Sequence, residues 1–211
     1  MFQTMQAAYS EAAERNKWPI LEKLHTLLAS SKSVLEIGSG TGQHAVYFAS
    51  ALSHLVWQPS ELPDKLPMLL SHCLHRPSEN LARPIALDID NDQNWIAIQA
   101  DTVFTANTLH IIHWPQVCKL FIRVGSLLPA NGLFCTYGPF NTDGRYTSES
   151  NAQFDSWLKN RDFNSGIRDI RDLQYSAEQN GLRLQENFEM PANNRLLAWR
   201  KLASESVKAA L

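Results

Sequence analysis

Cysteine is scarce. Only Cys73, Cys118 and Cys135 occur in 211 residues, and no CxxC or paired Cys/His spacing joins them. That excludes a zinc ribbon and a disulfide framework and predicts three reduced thiols. Clustered positive charge is also lacking. With 19 Lys and Arg against 21 Asp and Glu the formal net charge is −2, and no run of five basic residues occurs. The sequence therefore argues against nucleic acid or an anionic membrane as partner. No apolar stretch approaches the roughly 18 residues of a membrane span. The opening MFQTMQAAYSEAAERNKW has no basic start followed by an apolar block, so the expectation is a cytoplasmic protein rather than a secreted one. Internal repeats, low-complexity linkers and an acidic cluster that would hold a metal are likewise missing, so no metal site is expected.

What remains is an alternation of two periods. Short apolar or β-branched runs of strand length stand at 33–37, 54–58, 84–87, 102–106 and 132–137. Helical spacing fills the gaps: 18–28 puts Ile20, Leu21, Leu24, Leu27 and Leu28 on one face, and 41–52, 62–74 and 115–128 also read as helices. Strands alternating with helices imply an α/β fold with a parallel sheet covered on both faces. The segment 139–166 is long, polar and poor in aliphatics, and reads as a lid inserted into a single domain over 1–211. Within it, Ser150 to Gln153 resembles a capping box opening a helix that runs to Leu158. Ile170, Leu173 and Ala177 make a further helical face closed by Gly181. The last two strands, at 182–190 and 195–201, are joined by PANN, too short for a crossover, so they pair antiparallel.

The informative stretch is VLEIGSGTGQHAVYFA, where Gly38, Gly40 and Gly42 turn a strand into a helix. No GK[ST] follows, so it is not a P-loop, and Gln43 stands where a dinucleotide fingerprint needs glycine. The acids are more telling. Glu36 lies on the first strand's end, where a carboxylate repels a pyrophosphate and suits a cation. Glu61 ends the second strand, placed to accept both hydroxyls of a ribose. S-adenosylmethionine combines a ribose, an ammonium and a sulfonium with no phosphate. Glycine lets the backbone approach such a ligand closely.

VLEIGSGTGQH, the acid closing VWQPSE, ALDID and FTANTLHI resemble the successive motifs of class I S-adenosylmethionine-dependent methyltransferases. SEAAERNKWPIL, TSESNAQFDSWLKNRD, GIRD and MPANN resemble, over nearly the full length, the methyltransferase-like family catalogued as domain of unknown function 938. The resemblance implies a Rossmann-like, seven-stranded, mostly parallel sheet with an antiparallel last strand. It implies S-adenosylmethionine as cofactor and S-adenosylhomocysteine as product. Glu36 would organise the methionine end, with Gly38, Ser39, Gly40 and Gly42 as cradle. Glu61 would hold the ribose, Asp88 and Ile89 the adenine edge, and Asn107 would sit beside the methionine moiety. A glycine usually precedes the acid of the third strand in that family; here it is Leu87.

For the methyl acceptor the candidates lie beyond strand ends. His110 can act as general base or pack under the lid. Tyr137 can belong to the core or cap the acceptor. Arg15 can steer an anionic substrate or pair with a lid acid such as Asp155. Asn16, Asn141, Asn193 and Asn194 are candidate substrate contacts, the last two equally suited to a turn. NTLH replaces the [DN]PP[YFW] that amino-methyltransferases of adenine or glutamine use. The expected activity is in-line methyl transfer to a small molecule or protein of unassigned identity. An NAD(P)-dependent oxidoreductase and a non-catalytic cofactor-binding protein stay open as alternatives, and the oligomeric state is unspecified.

Overall fold

Val34, Leu35, Glu36 and Ile37 are all buried, though neighbouring strand residues point to opposite faces. Both faces of this strand are therefore covered, which is what a continuous apolar run in a parallel sheet requires. The computed structural model describes residues 9–203, in two units meeting in sequence at Asp88 and Ile89. No helix among the described residues is long and apolar enough to cross a membrane.

In the first unit, α1 (Glu11–Leu27) begins well before the predicted position 18. Its first two turns, EAAERNK, carry no apolar stripe, so periodicity alone does not reveal them. The start is set by Ser10, whose hydroxyl accepts from the Ala13 N–H at 3.2 Å. β1 (Ser33–Ile37) leads through the glycine turn to α2 (Gln43–Ala51). β2 (Val56–Glu61) starts two residues later than expected and runs on to the acid. α3 (Leu66–His75) and the two-residue β3 (Ile85–Ala86) follow. The strands lie in parallel in the order β3-β2-β1. Phe48 of α2 packs on Trp57 of β2 at 5.4 Å between ring centroids.

The second unit opens with a 3-10 turn at Asp92–Trp95 that the sequence pattern does not announce. It continues with β4 (Thr102–Ala106), α4 (Trp114–Leu127), β5 (Leu133–Gly138), β6 (Phe140–Asn141) and α5 (Glu149–Arg161). Then come β7 (Arg168–Asp169), α6 (Ile170–Glu178), β8 (Leu182–Met190) and β9 (Asn194–Lys201). Ser148, not Ser150, caps α5, accepting from the Asn151 N–H at 3.1 Å. β4 and β5 are parallel, and β9 runs antiparallel between β5 and β8, as PANN requires. β6 and β7 form a separate parallel pair. Phe121 meets Phe134 and Trp199 edge-on, at 5.3 and 5.5 Å, in the core of this unit. Every strand described except β6 and β7 belongs to one mixed, mostly parallel sheet of seven strands.

Candidate functional site

The turn between β1 and α2 is laced from within. Ser39 N–H donates to Ser60 O at 2.9 Å, and Ser60 N–H donates back to Ser39 Oγ at 3.2 Å. Gly42 N–H donates to Ser39 O at 2.9 Å, and Gly40 N–H to Glu61 Oε2 at 2.8 Å. Three amides of the turn are thus committed inside the protein. A phosphate-binding turn leaves such donors for its ligand. The glycines divide the work. All three have positive φ, at 69°, 55° and 79°. At Gly42 a Cβ would stand 2.9 Å from Leu69 Cδ1, so that glycine serves the packing of α2 on α3. At Gly40 a Cβ would meet nothing within 4 Å: that backbone faces open space.

Glu61 is buried, and its second oxygen accepts from the Leu62 N–H at 2.9 Å. A carboxylate has about four lone-pair sites, so two remain for a vicinal diol. Glu36, expected at the methionine end, has its own partners within the protein. It is 2 % exposed and lies against β2, where Trp57 Nε1 donates to Glu36 Oε2 at 2.9 Å. Burial pushes its carboxyl up to about 7, against hydrogen bonds from Trp57 and Ser39 that pull it down, and the nearby Glu61 raises it further. Glu36 therefore supports the turn through the strands, and Trp57 is the partner that sequence spacing misses.

Asn16 is also committed: its Oδ1 lies 2.6 Å from His44 Nε2, in a buried pair joining α1 to α2. His44 stacks on Phe48, and burial drops its imidazole to about 4. Gln43 completes the junction, accepting from Ser10 N–H and Thr41 Oγ1. The early helix does reach the glycine turn, but through structural pairs. Arg15 is exposed and pairs with Glu11 at 3.3 Å, while Asp155 is engaged elsewhere. Asp88 is partly buried just beyond β3, and Ile89 is buried.

In the second unit the ends of β4 and β5 bring Asn107, His110 and Gly138 together. Asn107 has φ 57° and donates its N–H to Tyr137 O at 2.8 Å. A Cβ on Gly138 would lie 3.5 Å from His110 Nδ1 and 3.8 Å from Asn107 Oδ1. His110 is 5 % exposed, with Phe154 edge-on at 5.3 Å. Burial, and then the charge of Arg168, hold it at about 4, so the ring is neutral. No described residue hydrogen-bonds to its ring nitrogens. His113 turns away to pair with Asp162 at 2.7 Å. Tyr137 is 3 % exposed between Ala106 and Leu196, in the core of the sheet. Asn141 Oδ1 is buried with no hydrogen-bond partner among the described residues. Asn193 and Asn194 build the β8–β9 turn. Asn193 has φ 57°, Asn194 Nδ2 donates to Pro191 O at 3.0 Å, and Asn193 Nδ2 reaches Ser150 at 3.2 Å.

A phosphate-free nucleoside fits the first unit's turn. Glu61 keeps lone pairs that suit a diol, the backbone at Gly40 is open, and the Ser39, Gly40 and Gly42 amides are already used.

The family described as "Protein of unknown function (DUF938)" matches residues 7–201. Among solved structures, an O-methyltransferase family protein from Burkholderia thailandensis aligns with TM-score 0.79 at 14% identity, covering 92% of this chain and 58% of that one. An O-methyltransferase family 2 protein from Planctomyces limnophilus, in complex with apigenin, gives TM-score 0.75 at 16% identity over 90% and 58%. Human N-acetylserotonin methyltransferase in complex with SAM gives 0.70 at 15% over 91% and 58%. This chain spans less than two thirds of each of these proteins. The fold is that of class I methyltransferases.

Proposed function

The chain belongs to the DUF938 family, and on that premise we propose that it is an S-adenosylmethionine-dependent methyltransferase. One observation supports this reading over a dinucleotide enzyme: the Ser39, Gly40 and Gly42 amides of the turn are committed internally, where a pyrophosphate would need free donors. Glu61 and the turn of Gly38, Ser39, Gly40 and Gly42 hold the nucleoside, and Glu36 fixes the turn from below. Asp88, Ile89 and Asn107 are the remaining candidate contacts. When bound, the cofactor supplies a methyl group on a cationic sulfur.

The chain's part is to place an acceptor and keep water out, and near-attack placement is worth about 7–11 kcal/mol. His110 accepts the proton that an acceptor hydroxyl or amine loses. Its low basicity keeps the lone pair free at neutral pH and makes the protonated ring short-lived. Asn141 Oδ1 accepts a hydrogen bond from the substrate. The segment 139–166 serves as the lid of a single methyltransferase-like domain. The acceptor class is a small molecule or a protein side chain.

Purified protein with radiolabelled S-adenosylmethionine, incubated with metabolite extract and with lysate, tests the proposal. Time-dependent label in an acceptor supports it. Tight cofactor binding with no transfer in either pool favours a binding protein. Saturable NADH fluorescence, with no binding of S-adenosylhomocysteine, favours an oxidoreductase.

A further inference from the structure

Four consecutive carbonyls around His110 are each bound by one short segment. Leu109 O accepts from Arg168 Nε at 3.0 Å, and His110 O from Gly166 N–H at 2.9 Å. Ile111 O accepts from Ser165 Oγ at 2.7 Å, and Ile112 O from an Arg168 terminal nitrogen at 2.5 Å. That nitrogen also donates to Asn164 O at 3.0 Å. One guanidinium thus grips the backbone on both sides of the imidazole. Only a planar fork of several donors does this, and lysine cannot replace it.

The gripping segment is itself held by the lid helix. Asp155 of α5 is 2 % exposed and accepts from Ile167 N–H at 2.6 Å, from Lys159 at 2.6 Å and from Tyr146 Oη at 2.7 Å. A Cβ on Gly166 would stand 2.9 Å from Asp155 Oδ1, so the segment passes where only glycine fits. The chain of contacts runs from Tyr146 and α5, through 165–168, to the His110 loop.

We propose that Arg168 is the positioning residue of the His110 loop, coupling the imidazole's orientation to the lid helix. This rests on the reading of His110 as the acceptor-side base. Among the described residues, the charged groups beside the loop are Arg168, Asp155, Lys159, Arg161, which lines one cavity with Ile111, and the His113–Asp162 pair. Asp155 is matched by Lys159, and Arg168 is the charge that acts on the ring.

The test uses the full chain with 15N-labelled histidine, the His110 resonance being assigned with His110→Gln. Its titration and the hydrogen exchange of the Gly166 amide are followed in wild type, Arg168→Gln and Arg168→Lys. In Arg168→Gln the midpoint rises above about 4 but stays below the ordinary 6.5, because the larger cause, burial, remains, and Gly166 exchange speeds up about tenfold or more. Arg168→Lys keeps the charge and loses the fork, so exchange accelerates while the midpoint stays low. Midpoint and exchange both unchanged in folded Arg168→Gln overturn the proposal; if that variant does not fold, unchanged Gly166 exchange in Arg168→Lys does so. Neither readout needs cofactor. Failure of the wild type to bind S-adenosylhomocysteine therefore strikes the methyltransferase reading and leaves the clamp to be judged on its own data.

Discussion

Replacing Glu36 with glutamine removes a buried acid while keeping an oxygen for the Trp57 indole N–H. In the folded protein this carboxyl releases its proton at about 7, against 4.5 for an ordinary glutamate, chiefly because burial disfavours the charge. Below 4.5 the folded and unfolded chains both carry the proton. Between 4.5 and 7 the unfolded chain has lost it and the folded one has not, so stability falls as pH rises, then levels off. At about 1.4 kcal/mol per pH unit, the loss is about 3 kcal/mol across that window. Glu36→Gln lacks this loss, so its stability relative to wild type climbs by about 3 kcal/mol over the same range. His44 and His110, each held at about 4 by burial, act oppositely and gain stability as pH rises toward 6.5. Both proteins share them, so they cancel in the difference. Urea unfolding of the two proteins at several pH values, read by tryptophan fluorescence, measures it. A difference that stays flat, or falls with pH, refutes the assignment of Glu36 as a buried acid under the turn.

Two glycine substitutions should separate the turn's roles. Gly40→Ala places its Cβ in open space at φ 55° and should cost about 1–2 kcal/mol of stability while weakening S-adenosylhomocysteine binding about tenfold or more. Gly42→Ala adds an overlap with Leu69 at 2.9 Å and should destabilise more, by about 2–4 kcal/mol, in denaturant titration. Asp155→Ala leaves the buried Ile167 N–H without its acceptor and should cost about 2–3 kcal/mol near neutral pH. Burial raises that carboxyl, but hydrogen bonds from Lys159, Tyr146 and Ile167 outweigh it and hold the acid below 3.8. The deficit should therefore shrink as pH falls below that value in acid unfolding curves.

Legibility followed range of interaction. β1 and β4 have the boundaries read from their apolar runs, because strands buried on both faces admit little else. β8 was equally plain from its apolar ends and the PANN link, although its interior alternates with solvent. α1 was found only where its apolar stripe begins. Its polar first half depends on Ser10 and on pairs with Gln43 and His44, more than 25 residues distant in sequence. For α5 the local spacing of Ser150 and Gln153 pointed to the wrong cap, and Ser148 takes that place. The glycine turn and Glu61 were readable because backbone conformation and strand-end position are local properties. Glu36 was found, but not its indole partner, which lies on the next strand. The clamp on the His110 loop was invisible, because Arg168 is 56 residues from one of the carbonyls it holds.

The central claim is that a phosphate-free nucleoside occupies the turn whose diol acceptor is Glu61. Calorimetric titration of S-adenosylhomocysteine into wild type and Glu61→Ala measures this most directly. The account predicts saturable one-to-one binding to the wild type and a loss of at least ~1.5 kcal/mol in the variant. Equal affinities, or heat from NADH and none from S-adenosylhomocysteine, contradict it.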